Sequence, residues 1–171
     1  MRKLFIITAI ILFIISTNSC SLQHMQTPET VPVGEYSGGI GVIGTASEGN
    51  AFALPGLWMR TGLSPNFDVG VQTFGLGMKI DGKYSFNDYI AVGAGGGAMF
   101  LGALIYDIEG SLYAGLPMGN FYPYGVARIS QIGITASVED TLVGLHGTGF
   151  STVGGTKLKL GPSFSIYLEG G

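Results

Sequence analysis

Residues 89–106 read YIAVGAGGGAMFLGALIY, eighteen residues with no charge and five glycines. Three readings compete for this stretch, and each leads to a different protein. As a helix it sits at the lower edge of a membrane span, with Gly93 and Gly97 placed as a GxxxG face. As a loop, Gly93, Gly95 and Ala98 fit the G-x-G-x-x-A spacing of a dinucleotide fingerprint. As two β-strands it turns near Leu101–Ala103. The flanking sequence decides among the three.

On both sides the apolar residues recur with period two. In NFDVGVQT, Phe67, Val69 and Val71 are separated by Asp68, Gly70 and Gln72. In LGMKIDGKYSF, Leu76, Met78, Ile80, Tyr84 and Phe86 alternate with Lys79, Asp81, Lys83 and Ser85. In LIYDIEGSLYAGL, Leu104, Tyr106, Ile108 and Leu112 alternate with Asp107, Glu109 and Ser111. The tail sets Leu158, Leu160, Phe164, Ile166 and Leu168 against Lys157, Lys159, Ser163, Ser165 and Glu169. Strict alternation of this length marks strands with one apolar face. Five glycines also weaken a helix by close to 1 kcal/mol each relative to alanine. The dinucleotide reading lacks its helix after the glycines, and Asp107 and Glu109 belong to a period-two strand. Residues 89–106 therefore read as two strands, with the glycines leaving room inside a narrow barrel.

Nine strands are predicted, near 33–44, 52–63, 66–73, 76–86, 89–100, 104–116, 121–131, 148–160 and 163–171. Turn-forming breaks at Ser64–Asn66, Asn87–Asp88, Pro117–Asn120 and Gly161–Pro162 alternate with breaks at Thr45–Ala51, Phe74–Gly75, Leu101–Ala103 and a long one from about Ile132 to Gly147. That order predicts an all-β fold, an antiparallel up-and-down transmembrane β-barrel of about 8–10 strands. Single-chain bacterial barrels have even strand numbers, so nine suggests that the last strand is missing.

The N-terminus is set apart from the barrel. Arg2 and Lys3 precede an apolar run from Leu4 to Ile15 and then STNSC, the pattern of a cleaved secretory signal peptide over 1–19. Cys20, the single cysteine, stands where a bacterial lipoprotein carries its acylated residue, and this segment resembles that family's lipobox. The resemblance implies lipidation at Cys20. Residues 20–32, polar and proline-punctuated, are then a lipid-anchored tether, and 33–171 the barrel. Beyond Lys3 the chain has six basic residues against all eleven acidic ones, net −5, which leaves no basic face for nucleic acid. Charged residues make up 11% of the chain and mean hydropathy is +0.43. Few charges with no convincing helical span is what a lipid-facing barrel produces.

RTGLSPNFDVGVQ (60–72), DGKYSFNDYIAVGAG (81–95), YPYGVARIS (122–130) and KLKLGPSFSIYLEGG (157–171) together resemble the small outer-membrane barrels of the OmpA-like and OmpX-like superfamily. The likeness is one of pattern and spans most of the chain after the signal. It implies a location in the bacterial outer membrane, with membrane lipid as partner.

With apolar positions facing lipid, Asp68, Gln72, Lys79, Asp81 and Lys83 point into the lumen, as do Asp107, Glu109, Lys157, Lys159 and Glu169. Arg60 and Arg128 are placed there too, because arginine on a lipid face is costly. Such a set either lines a small porin-like pore or pairs up and fills the barrel. A barrel this narrow favours the filled lumen. A structural or surface-interacting role follows, with no catalytic residue, metal site or cofactor expected. Two rivals remain. One is a soluble periplasmic lipoprotein barrel with apolar residues inward, binding an apolar ligand. The other is a lipid-modifying barrel enzyme built around His146, with Asp140 and Ser151 nearby in the chain. Aromatic girdles at the membrane interfaces are expected from Tyr36, Trp58, Phe86, Tyr89, Phe100, Phe121, Tyr122 and Phe150.

Overall fold

The computed structural model describes residues 26–47, 50–74, 76–100, 102–138, 141–160 and 165–170. The signal peptide, Cys20 and Asp140 lie outside the described residues. What is described is all-β, with no helix among these residues. The strands are β1 (Tyr36–Ser47), β2 (Asn50–Ser64), β3 (Phe67–Phe74), β4 (Gly77–Ser85) and β5 (Ile90–Phe100), then β6 (Leu104–Gly115), β7 (Phe121–Val138), β8 (Thr141–Lys159) and β9 (Ser165–Gly170). They form one antiparallel sheet in strict chain order, curled into a half-barrel. Among the described residues no ladder joins β1 to β9.

The turns follow local chemistry. Asn87 accepts through Oδ1 from the N–H groups of Tyr89 and Ile90, at 2.8 and 2.9 Å, and so folds the β4–β5 turn. Gly102, at φ 74°, supplies the left-handed residue between β5 and β6. The opening stretch is thus β5, a tight turn and the start of β6, with Phe100 paired to Leu104.

One expectation fails. The long break from Ile132 to Gly147 is instead the continuation of β7 and β8, which pair without interruption from Phe121↔Leu158 to Val138↔Thr141. Ile132, Ile134, Val143 and Leu145 keep the alternation going, but the threonines and glycines between them resemble loop composition. Pairing satisfies the backbone groups that the two strands turn towards each other, so the hairpin extends.

Register explains the glycines. One row across the sheet runs Arg60↔Gly70↔Asp81↔Gly95↔Glu109, and the next runs Lys79↔Gly97↔Asp107. In these rows each charged side chain on the concave face stands beside a glycine. A Cβ at Gly70 would come within 2.6 Å of the Arg60 guanidinium, and one at Gly95 within 2.7 Å of the Asp81 Cβ. Gly93, Gly95 and Gly97 are packing space for the charges of β4 and β6.

Nearer the β2–β3, β4–β5, β6–β7 and β8–β9 turns, called the turn end below, the concave face also carries an apolar patch. Ala91, Tyr113, Tyr124, Val126 and Val153 form a small buried cluster against Tyr167. The ring of Trp58 meets that of Tyr167 edge-on at 5.6 Å, linking β2 with β9 across the concave side. Trp58 therefore faces inward, as does buried Tyr122, and neither belongs to an outer girdle. Tyr36, Phe86, Tyr89, Phe100, Phe121 and Phe150 are exposed.

Candidate functional site: a filled, charge-balanced lumen

Strand alternation delivers the charged residues to one face. Asp68, Lys79 and Lys83 are at most 2% exposed, and Arg60, Gln72, Asp81, Glu109 and Arg128 are also buried. A buried charge is tolerated only with partners and hydrogen bonds. The structure supplies these in two clusters.

In the first, Arg60 bridges β3 and β4. Its Nε and Nη2 donate to Asp68 Oδ1 at 3.0 and 2.5 Å, and its Nη1 to Asp81 Oδ2 at 2.6 Å. Lys83 Nζ lies 3.4 Å from Asp68 Oδ2. In the second, Glu109 on β6 joins Lys79 Nζ at 2.6 Å and Arg128 Nε at 3.4 Å. Half-buried Asp107 sits one row above, beside Gly97. Each cluster sets two cations against two carboxylates.

A third group lies at the turn end, and its key member was not anticipated. Residues 26–32, read as a tether, run along the concave face as a strap. Gln26, Thr27 and Pro28 are buried. Lys83 Nζ donates to the carbonyls of Thr27 and Glu29, both at 2.7 Å, and Ser85 Oγ donates to that of Pro28. Asp68 accepts from the Val31 N–H at 3.1 Å, and Thr30 Oγ1 donates to the Pro65 carbonyl at 2.9 Å. The Glu29 carboxylate reaches Lys157 Nζ at 3.0 Å and Lys159 Nζ at 2.9 Å on β8. Burial pushes the Glu29 carboxyl up, but the two lysines outweigh it and hold it below its ordinary value of 4.5. The strap leaves over Gly62, where a Cβ would overlap the carbonyls of Val31 and Pro32. Val33 then bridges to Gly62, and β1 begins.

Glu169 on β9 accepts from the Tyr124 hydroxyl. All twelve side chains expected in the lumen lie on the concave side, Lys159 at its rim with 37% exposure. With Glu29 added, this face carries six basic and six acidic groups. Opposite charges thus balance and pack the concave face. Sequence reasoning missed Glu29, because a proline-spaced polar segment gives no alternation signal; Ser85 and Tyr113 share the inward parity of β4 and β6 but carry no charge that singles them out. The usable clue was numerical: six bases against five expected acids left one partner unassigned.

His146 belongs to β8, and its Nδ1 lies 3.1 Å from the Tyr106 hydroxyl on the convex side, over Gly133. Ser151, an odd number of residues away, takes the concave face. The two do not form a nucleophile–base pair. Among the described residues no three metal-ligating side chains cluster, and no helix is long and apolar enough to cross a membrane. No protein-family model, curated protein or solved structure matches this chain.

Proposed function

We propose that the chain is an outer-membrane β-barrel lipoprotein with a filled lumen and a structural or surface-interacting role. One observation carries the reading: the sheet has inverted polarity. On β4, Met78, Ile80 and Tyr84 are exposed while Lys79, Asp81 and Lys83 are buried. On β6, Ile108 is 63% exposed and its neighbour Glu109 4%. Around the convex side Leu57, Met59, Val92, Leu112, Ile129 and Phe150 continue the apolar surface. An apolar patch of this extent marks contact with lipid or protein. A soluble barrel holding an apolar ligand would have the opposite parity.

Strand lengths support the same reading. β4, β5 and β6 have 9, 11 and 12 residues, close to the roughly 9–11 that cross a bilayer. β7 and β8 have 18 and 19, and beyond Ile129 and Phe150 their convex residues become Gln131, Thr148 and His146. That extension, polar on its convex side and with Val143 and Leu145 exposed on the other, is a ribbon suited to surface contacts.

The test is insertion. Detergent-refolded protein is expected to show heat-modifiable gel migration, and Ile108→Lys to lose about 2–4 kcal/mol of stability in bilayers, as a lysine near the midplane does. A protein that stays soluble and monomeric without detergent, and tolerates Ile108→Lys, would overturn the proposal.

A further inference from the structure

The strap is held in two distinct ways, and the difference defines a ligand. Lys83, Ser85 and Asp68 address its backbone: three carbonyls accept and one N–H donates. Those contacts ask only for an extended chain. Side chains of the strap are read as well, Thr30 by the Pro65 carbonyl and Gln26 by the Asp81 carboxylate among them. The Pro28 ring lies against Gly115, where a Cβ would approach its Cδ to 3.1 Å, and the Glu29 carboxylate is clamped by Lys157 and Lys159. A backbone rail, a proline seat and a carboxylate clamp together make a peptide site.

We propose that the turn-end mouth of the barrel is a receptor for an extended Pro-Glu peptide segment of another envelope protein, with residues 26–32 of this chain as its tethered competitor. The location in the envelope rests on the membrane-barrel reading; the binding chemistry does not. Charge favours an acidic partner. With Glu29 gone, the concave face holds six basic groups against five acidic ones, and Lys157 and Lys159 lose their shared carboxylate. Attachment to β1 gives the strap an effective concentration in the millimolar range, so an incoming peptide must outcompete it or act when it is displaced. Lys83 and Ser85 would then exchange one set of carbonyls for another.

The probe is a fluorescent peptide of the strap's own sequence, QTPETVP, titrated by anisotropy against detergent-refolded protein. Glu29→Gln weakens the competitor while leaving every backbone contact in place. This variant is expected to bind the peptide at concentrations where the wild type shows none. A QTPQTVP peptide is expected to bind about tenfold more weakly, the loss of one strong charge-assisted contact. The Glu29→Gln protein with Lys157→Gln and Lys159→Gln added should no longer distinguish the two peptides. A folded Glu29→Gln barrel that binds neither peptide, binds both equally, or binds no better than wild type overturns the proposal. Heat-modifiable migration is read on the same samples. Its absence would remove the membrane setting, while the titration would still decide the site.

Discussion

Arg60→Met tests whether the lumen is held by its ion pairs or merely occupied by them. The substitution keeps an unbranched chain over Gly70, so the cavity it leaves is small. It removes three hydrogen bonds of 2.5–3.0 Å to Asp68 and Asp81. At about 1.5–3 kcal/mol for each bond to a charged group, the gross loss is about 4.5–9 kcal/mol. Two effects reduce it. The desolvation of Arg60 itself is no longer required, and Lys83 and the Val31 N–H remain on Asp68. The expected net cost is about 3–5 kcal/mol, the range for orphaning a buried charge. Adding Asp81→Asn removes one orphan and should recover part of that loss. Urea unfolding in micelles can be followed through Trp58, the single tryptophan, whose ring contact with Tyr167 reports the curl of the sheet. An Arg60→Met protein within about 0.5 kcal/mol of wild type, the range of an ordinary surface substitution, would refute the reasoning. So would a double variant less stable than the single one.

Glycine placement gives a paired test: Gly95→Ala should cost about 1–3 kcal/mol by overpacking against Asp81 and the Ile80 carbonyl, whereas Gly110→Ala, whose nearest neighbour is Ile129 at 3.8 Å, should be close to neutral in the same assay. Strap anchoring should also depend on acid. Glu29, faced by Lys157 and Lys159 and near Tyr122 and Tyr167, has a folded-state value below its unfolded 4.5. Its contribution is fully present above pH 4.5 and is lost as pH falls through the folded value. The urea midpoint of unfolding, followed through Trp58, should therefore fall below about pH 4.5 more steeply in the wild type than in Glu29→Gln; identical pH profiles of the two proteins down to about pH 3 would contradict it.

Alternation made most of the wall legible. Where a strand carried charges on one face, as in Lys79-Ile80-Asp81, both its existence and its inward side followed from the pleat. The pleat also settled residues 89–106, because the neighbours of Gly93, Gly95 and Gly97 across the sheet are charged. Two things were hidden for different reasons. The upper part of the β7–β8 hairpin, with Gly144, Gly147 and Gly149, has turn-like composition, and only pairing to a partner strand keeps it extended. The strap has no periodicity because it belongs to no ladder; Lys83, Lys157 and Lys159, from two distant strands, give it its place. Which cation meets which carboxylate was equally out of reach, since it depends on cross-sheet register rather than on spacing along one strand.

The strand count has a consequence for direction. β1 and β9 are both odd in an antiparallel sheet, so they point the same way, from the turn end outward. A seam made directly between them would have to be parallel, the slightly weaker pairing. A single additional strand running inward would instead give both edges antiparallel partners at once. In hydrocarbon, where each unpaired N–H or C=O costs several kcal/mol, those two edges cannot be left bare. Odd parity thus acts as a compass: among the described strands a direct seam between β1 and β9 runs parallel, whereas a strand that served both edges would travel against them, from the β7–β8 ribbon's side towards the strap.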